Sequence, residues 1–139
     1  MCDMTEQQID ELVAAAASVR QRAHAPYSHF AVGAAVLDGG GRTHAGCNVE
    51  NASYGLAVCA ERNAVGAAVA AGAEEIVAVA VVTDVSPPAS PCGACRQVLA
   101  EFGRCPVILA NLQGERIVTS VADLLPNAFT SKALPADGE

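Results

Sequence analysis

The segment from Ile76 to Thr83 reads IVAVAVVT, a run of apolar and β-branched residues without a single charge. Such a run is typical of a strand that is buried on both faces, because a strand with one face in solvent alternates apolar and polar residues. A second run, PVILAN, begins at Pro106. Between the two runs, Cys92 to Phe102 predicts a helix that a glycine ends. The chain therefore needs a central sheet and helices to cover it.

Weaker patterns supply the other elements. Apolar residues at helical spacing predict a first amphipathic helix from Thr5 to about Ala23. The remaining predicted elements are two strands of a hairpin at Phe30 to Leu37 and Arg42 to Cys47, a helix at Val58 to Ala71, a weaker strand at Glu115 to Thr119 and a helical turn at Val121 to Leu125. A hairpin followed by alternating helices and strands predicts an α/β fold with a single mixed central sheet covered by helices.

Length and charge limit the organisation and the partners. The 139 residues suit one domain spanning 1–139, with a poorly ordered tail beyond Phe129, at about 130–139. A net charge of −7 argues against nucleic-acid and anionic-membrane partners, which need a basic surface. The N-terminus lacks the pattern of a signal peptide and no apolar run is long enough to span a bilayer, so we expect a cytosolic protein whose cysteines are thiols or metal ligands.

Two short motifs carry the chemistry. Cys59-Ala60-Glu61 is followed, after a predicted strand and a loop, by Pro91-Cys92-Gly93-Ala94-Cys95. Three thiolates make an open zinc site with one position left for water, whereas a structural zinc site would want a fourth ligand at similarly tight spacing. Cys59, Cys92 and Cys95 each lie at the start of a predicted helix, so two helix N-termini converge on one ion and lower the thiol pKa values.

Zinc of this kind lowers the pKa of its water towards about 7, and a group must then carry the protons. Glu61, two residues from a ligand, is placed to do so. Arg62 can offset the charge of the thiolates by hydrogen-bonding a ligand sulfur. A redox Cys-x-x-Cys pair, or Cys59 as a core residue, are weaker interpretations because neither accounts for the joint pattern.

The segments GCNVENASYGLAVCAERNAV and SPPASPCGACRQVLAEF closely resemble the small, homotetrameric cytidine deaminases of pyrimidine salvage. The resemblance extends from Pro26 to Phe129. It implies a three-layer α-β-α cytidine-deaminase-like fold with about five strands, one Zn²⁺ per subunit, and hydrolysis of cytidine and 2'-deoxycytidine to uridine and 2'-deoxyuridine with release of ammonia. In the implied mechanism, hydroxide generated at zinc attacks C4 and Glu61 shuttles the protons.

The resemblance also implies roles for further residues. Phe30 packs against the pyrimidine ring, and Asn48 and Glu50 grip the ribose 3'-hydroxyl. Ala60 belongs to the same substrate-binding set. Without the resemblance, a core position for Phe30 and a polar loop end for Asn48 and Glu50 would be the simpler interpretations.

Three implied contacts cross between subunits of the homotetramer. Ala52 and Tyr54 reach the 5'-hydroxyl of a substrate in a neighbouring subunit, and Phe129 closes the site of another subunit. Ordinary packing is the alternative for such aromatic residues. These contacts, if made, would make oligomerisation a condition for activity.

Other functions share parts of the pattern. A deaminase of a modified cytosine nucleoside such as blasticidin S has the same zinc motif, but Phe30, Asn48 and Glu50 favour the ordinary nucleoside. A polynucleotide-editing deaminase needs a basic and aromatic track, which a chain of net charge −7 without Trp does not offer. Cys59, in place of His at the first zinc position, also fits a nucleoside enzyme better. A structural zinc module would need a fourth protein ligand.

Overall fold

The computed structural model describes residues 4–135. Within this range one mixed sheet has five strands in the order β2-β1-β3-β4-β5. The strands are β1 at Gly33–Asp38, β2 at Thr43–Cys47, β3 at Ile76–Thr83, β4 at Pro106–Asn111 and β5 at Arg116–Ser120. Strands β3 and β4 run parallel, and every other neighbouring pair is antiparallel. The predicted mixed sheet of about five strands is therefore confirmed.

Helices cover both faces of this sheet. Helix α1, at Glu6–Arg20, lies on one face, where its buried Leu12 and Ala16 pack against Ala80 and Ile108. Helices α2 at Ala60–Ala70, α3 at Gly93–Phe102 and α4 at Val121–Leu124 lie on the other face. Their core consists of residues such as Val65, Val79, Leu99, Val107 and Val121. The three-layer α-β-α arrangement is thus confirmed, and β3 and β4 are buried on both faces as their composition predicts.

Gly46 brings strand β2 against the backbone of α2. A Cβ atom at this position would lie 2.4 Å from the amide nitrogen of Ala64 and 2.9 Å from the carbonyl oxygen of Ala60, so only glycine fits without a shift. Asn63 of α2 also donates a hydrogen bond of 2.8 Å to the carbonyl oxygen of Cys47. The end of the hairpin is therefore fixed beside the start of α2.

Element bounds differ from the predicted ones at both ends of the loop that follows α1. The helix ends at Arg20 rather than near Ala23, because His24 leaves it to pair with Val49 in an isolated bridge. The first strand begins at Gly33 rather than Phe30, because His29 has left-handed backbone geometry, with a φ of 58°. The strand that the sequence predicts is thus shortened at its start.

Short turns complete the described chain. Single turns of 3-10 helix lie at Tyr54–Leu56 and Ser131–Ala133. The predicted disordered tail beyond Phe129 includes residues 136–139, which lie outside the described range. Among residues 4–135, no helix combines the length and the apolar character needed to cross a bilayer.

Candidate active site

The two cysteine motifs lie at the N-termini of α2 and α3. Cys59 is the N-cap residue of α2 and Cys92 is the N-cap residue of α3, both with extended backbone. Neither thiol makes a side-chain capping bond to its own helix, so both sulfur atoms remain available to a ligand. Cys95 follows in the first turn of α3 and is fully buried. Two helix N-termini therefore meet at one cluster of sulfur atoms.

The spacing of these sulfur atoms suits a tetrahedral metal ion. The Sγ atom of Cys92 lies 4.0 Å from that of Cys59 and 3.6 Å from that of Cys95, and all three lie within 4.8 Å of one another. Thiolates on a tetrahedral zinc ion, at about 2.3 Å from the metal, lie about 3.8 Å apart. Among residues 4–135, these three cysteines form the group of side chains that could hold a metal ion, and they supply three ligands. The fourth position of a tetrahedron is left to a small ligand.

The charges around the sulfur atoms also require a cation. The backbone N–H group of Cys95, in the first turn of α3, lies near the sulfur of Cys92 and lowers the pKa of that thiol. Burial raises the pKa of Cys95, and the neighbouring Glu61 and Cys59 raise it further. Cys95 therefore loses its proton when a metal cation binds to its sulfur, so metal binding is coupled to proton release.

Arg62 supplies positive charge to the same cluster. Its Nη2 atom lies 3.9 Å from the sulfur of Cys59 and 3.5 Å from the carbonyl oxygen of Ala57. The bond to Cys59 raises the pKa of Arg62 above its ordinary value. The predicted contact between Arg62 and a ligand sulfur is thus present in the structure.

Glu61 lies in the first turn of α2, two residues after Cys59. Glu61 is buried, with only 5% of its surface exposed. Burial raises the pKa of its carboxyl group, although its own N–H group and Arg62 act in the opposite direction. A carboxyl group held in this way can exchange protons near neutral pH more readily than an exposed glutamate.

A cavity of about 190 Å³ opens beside this carboxyl group. Its walls contain predicted site residues from four parts of the chain: Phe30, Asn48, Cys59, Ala60, Glu61 and Cys92. Four further lining residues were not singled out from the sequence: Val32, Thr83, Ala89 and Ser90. Thr83 could have been found, because it is the polar residue that ends a buried strand, and strand ends commonly border binding sites in α/β folds. Ala89 and Ser90 carry no comparable signal.

Asn48 ties the cavity wall together with its side-chain amide. Its Nδ2 atom donates to the carbonyl oxygen of Phe30 at 2.8 Å, and its Oδ1 atom accepts from the N–H group of Val32 at 2.8 Å. The amide thus adds to the backbone hydrogen bond of 3.2 Å from the N–H group of Asn48 to the carbonyl oxygen of Val32. One N–H bond and one lone pair of the amide are not used by these two contacts.

Glu50 lies in a second cavity of about 330 Å³, which Tyr27, Ser28 and Tyr54 also line and which shares no lining residue with the first. Its Oε1 atom accepts hydrogen bonds from the N–H groups of Tyr27 at 3.0 Å and Ser28 at 3.2 Å. Its Oε2 atom accepts a bond from the hydroxyl group of Ser28. These bonds, led by that hydroxyl, lower the pKa of Glu50, so the carboxylate is ionised and firmly held.

The predicted cross-subunit residues lie at the surface of this chain. Tyr54 is 75% exposed, and its ring contacts that of Tyr27 with centroids 5.6 Å apart. Phe129 is 62% exposed, and Ala52 is exposed in the same loop as Tyr54. Neither Ala52 nor Phe129 lines the two cavities described above. Within the described chain these residues therefore do not reach the metal cluster.

Comparison with known proteins identifies the family. Residues 6–111 match the model of the cytidine and deoxycytidylate deaminase zinc-binding region. The chain is 48% identical to a cytidine deaminase of Sporosarcina psychrophila over 91% of its length and 94% of that protein, and 50% identical to one of Halalkalibacterium halodurans over 87% and 93%. The chain belongs to the cytidine deaminase family. The resemblance read from the sequence motifs is confirmed.

Solved structures of this family agree with the fold. A crystal structure of cytidine deaminase from Burkholderia pseudomallei superposes with a TM-score of 0.84 at 51% identity, covering 91% of this chain and all of that one. The structure from Mycobacterium leprae gives a TM-score of 0.75 at 41% identity, over 90% of this chain. Since the family model describes a zinc-binding region, the metal for which the three cysteines are positioned is zinc. A structural zinc module, which would need a fourth ligand, is not favoured.

Proposed function

We propose that this member of the family hydrolyses cytidine and 2'-deoxycytidine to uridine and 2'-deoxyuridine and releases ammonia. The observation that carries the proposal is the open three-cysteine cluster beside a buried glutamate, both facing one small cavity. Zinc, when bound, supplies Lewis acidity that makes a water molecule reactive near neutral pH. The balance of the reaction is simple: a C–O bond forms at C4 of the pyrimidine and the bond from C4 to the exocyclic nitrogen breaks.

Glu61 is proposed to move the protons. Its carboxyl group takes a proton from the attacking water, passes it to the adjacent ring nitrogen and later delivers one to the departing ammonia. Two features support this role, namely its burial beside the cysteine cluster and a pKa raised by that burial. Arg62 is proposed to offset the negative charge of the ligand thiolates through its contact with Cys59.

The cavity walls are proposed to recognise a free nucleoside. Phe30, which is 41% exposed and lines the cavity, offers a ring for the pyrimidine, and Ala60 also lines the cavity. Asn48 retains one N–H bond and Glu50, two residues later, presents an ionised carboxylate in the second cavity, so the pair offers a donor and an acceptor to a ribose 3'-hydroxyl. This polar pair favours the ordinary nucleoside over a modified antibiotic of the blasticidin S type.

A spectrophotometric assay tests the proposed activity. Zinc-loaded protein should lower the ultraviolet absorbance of cytidine and deoxycytidine as they convert to the uracil nucleosides, with free cytosine as the control that lacks the sugar. Blasticidin S serves as the competing substrate. An unchanged cytidine spectrum, or a large preference for the antibiotic, would contradict the proposal.

We further propose that the enzyme is a homotetramer whose sites are completed by neighbouring subunits. The large exposure of Tyr54 and Phe129, with Ala52 in the adjacent loop, supports this assembly because exposed aromatic residues are enriched at protein interfaces. Light scattering at several protein concentrations measures the mass. Mixing inactive Glu61→Gln subunits with Phe129→Ala subunits should recover activity if sites are shared, and failure of both tests would reject the assembly.

The proposed location is the cytoplasm, where a free nucleoside and reduced thiols are available. Its support is chemical: a site built from three cysteine thiols is kept metal-competent by a reducing compartment. Fractionation of cells that make the protein with a small tag would test the location, and recovery in the membrane or exported fraction would contradict it.

A further inference from the structure

The loop between β3 and α3 forms part of the active-site wall, yet it lacks backbone support. Within the described chain, no backbone–backbone hydrogen bond involves residues 85–91, which we call the ligand loop. Ala89 and Ser90 of this loop line the cavity, and Pro91 directly precedes the metal ligand Cys92. The position of the wall must therefore be set by side chains, whereas the carbonyl oxygen of Cys92 itself accepts a backbone hydrogen bond of 3.0 Å from the N–H group of Arg96.

Arg96 makes most of the contacts at the functional end of the ligand loop. Its Nε atom donates to the carbonyl oxygen of Pro91 at 2.8 Å, and its Nη2 atom donates to the hydroxyl oxygen of Ser90 at 2.9 Å. One further contact comes from Thr83, whose hydroxyl oxygen accepts from the N–H group of Ala89 at 3.4 Å. Arg96 lies in α3 immediately after Cys95, so one short segment carries both a metal ligand and the group that fixes the approach to another.

The same guanidinium group reaches the C-terminal part of the chain. Its Nη1 atom donates to the carbonyl oxygen of Leu124, the last residue of α4, at 2.8 Å. The next residue of α3, Gln97, donates to the carbonyl oxygen of Phe129 at 2.9 Å. Arg96 and Gln97 thus hold both ends of the segment that leads to the exposed ring of Phe129.

Only an arginine can make this set of contacts. Its planar group spreads five N–H donors over three nitrogen atoms, whereas the three donors of lysine share one nitrogen, which would have to lie within hydrogen-bond distance of all three acceptors. The three acceptors are neutral oxygen atoms from three separate places in the chain, at Ser90, Pro91 and Leu124. The guanidinium group therefore works here as a geometric brace and not as one half of an ion pair.

We propose that Arg96 is a positioning residue of the deaminase: it holds the ligand loop so that Ser90 closes the nucleoside cavity and Cys92 stays in place for zinc, and it links this wall to the C-terminal segment. The inference about the cavity rests on the proposed function, whereas the inference about Cys92 does not. Loss of outer partners of metal ligands generally costs about 10- to 100-fold in metal affinity or activity.

The test compares Arg96→Lys and Arg96→Met with Arg116→Met, which removes an arginine whose contact to Asp10 lies at the surface. We expect the Arg96 variants to raise KM for cytidine about tenfold, with a smaller fall in kcat, and to lose zinc to a colorimetric chelator about tenfold faster. Ser90→Ala should raise KM without faster zinc loss, because Arg96 still holds Pro91. All measurements are made well below the unfolding midpoint of each variant.

Wild-type KM and wild-type zinc loss in Arg96→Lys would overturn the proposal. So would defects that disappear on cooling, since they would reflect stability alone. If Arg96→Met does not fold, Arg96→Lys and Ser90→Ala decide by the same criteria. If the wild type itself does not deaminate cytidine, the proposed function fails, and the chelator experiment still tests how Arg96 holds Cys92.

Discussion

The hydroxyl group of Ser28 donates a hydrogen bond to the Glu50 carboxylate, while its oxygen accepts one from the N–H group of Phe30 at 3.0 Å. One small side chain therefore joins the carboxylate proposed to bind ribose to the aromatic residue proposed to bind the base. The sequence motif PYSHF places Ser28 two residues before Phe30, but the bond to Glu50 spans 22 residues of sequence.

Replacement of Ser28 by alanine should weaken nucleoside binding more than the chemical step. The variant removes both side-chain bonds but leaves the two backbone donors on Glu50, so we expect KM for cytidine to rise about 10- to 100-fold, in the range expected for a lost bond to a charged group. Ser18→Ala, on the exposed side of α1, is the matched control. A double-mutant cycle with Glu50→Gln should be non-additive; additive effects would argue against the coupling.

Substitution of Glu61 by glutamine should separate metal binding from catalysis. The three cysteines are untouched, so the variant should retain zinc, whereas kcat should fall by about 100- to 10,000-fold because the proton carrier is lost. Metal analysis and steady-state kinetics measure the two quantities. Glu101→Gln, an exposed change in α3, controls for the loss of a negative charge. Full turnover in Glu61→Gln would remove Glu61 from the mechanism.

Removal of a single ligand should remove the metal. Cys95→Ala takes away the buried thiol of the cluster, and a site with two remaining thiolates should not retain zinc through dialysis against a chelator. Cys47→Ala changes a cysteine thiol outside the cluster and should keep zinc and activity. Metal content of both proteins after dialysis is the measurement, and equal zinc content would exclude Cys95 as a ligand.

The turn between β1 and β2 should make stability depend on acid pH. His44 contacts the buried carboxylate of Asp38 at 2.8 Å, and this bond, together with the N–H groups of Arg42 and Gly40, lowers the pKa of Asp38 from 3.8 to about 2. A lowered pKa means that the ionised form stabilises the fold. Its contribution is present above pH 3.8 and is lost as pH falls towards about 2.

Asp38→Asn tests this dependence. The unfolding temperature of the variant should lie below that of the wild type at pH 6, and the difference should shrink as pH falls through this window. Zinc release in acid affects both proteins, so the comparison isolates the carboxylate. Asp10→Asn, which alters an exposed ion pair, should change stability little. A difference that stays constant from pH 6 to pH 2 would contradict the assignment.

Local patterns were sufficient to predict the parts of the chain whose structure is set locally. The run from Ile76 to Thr83 has the same bounds in the sequence prediction and in the structure, because an uninterrupted apolar, β-branched run of this length forms a strand buried on both faces. The cysteine motifs likewise predict helix starts, although each helix begins one or two residues later, with Cys59 and Cys92 as N-caps. Spacing along the chain decides these features.

Contacts between distant segments could not be predicted in this way. Phe30 and Val32 lie in the predicted first strand, but their backbone hydrogen-bonds to the side chain of Asn48, which is 18 and 16 residues away. The contact from Arg96 to Leu124 spans 28 residues, and nothing in the motif containing Arg96 indicates which acceptors its guanidinium group contacts. Such contacts depend on how the layers are stacked, which a single sequence does not encode in any local pattern.

Gly46 carries a consequence for substrate length. It lies two residues before Asn48, and the backbone that it touches belongs to the same turn of α2 that carries Glu61. The separation between Asn48, the residue proposed to bind ribose, and Glu61, the proposed proton carrier, is therefore fixed by close contact between the backbones of β2 and α2. Exchanging the side chains of the cavity would change the shape of its walls but would leave this span as it is. An enzyme redesigned for a longer or shorter substrate would have to move the hairpin itself.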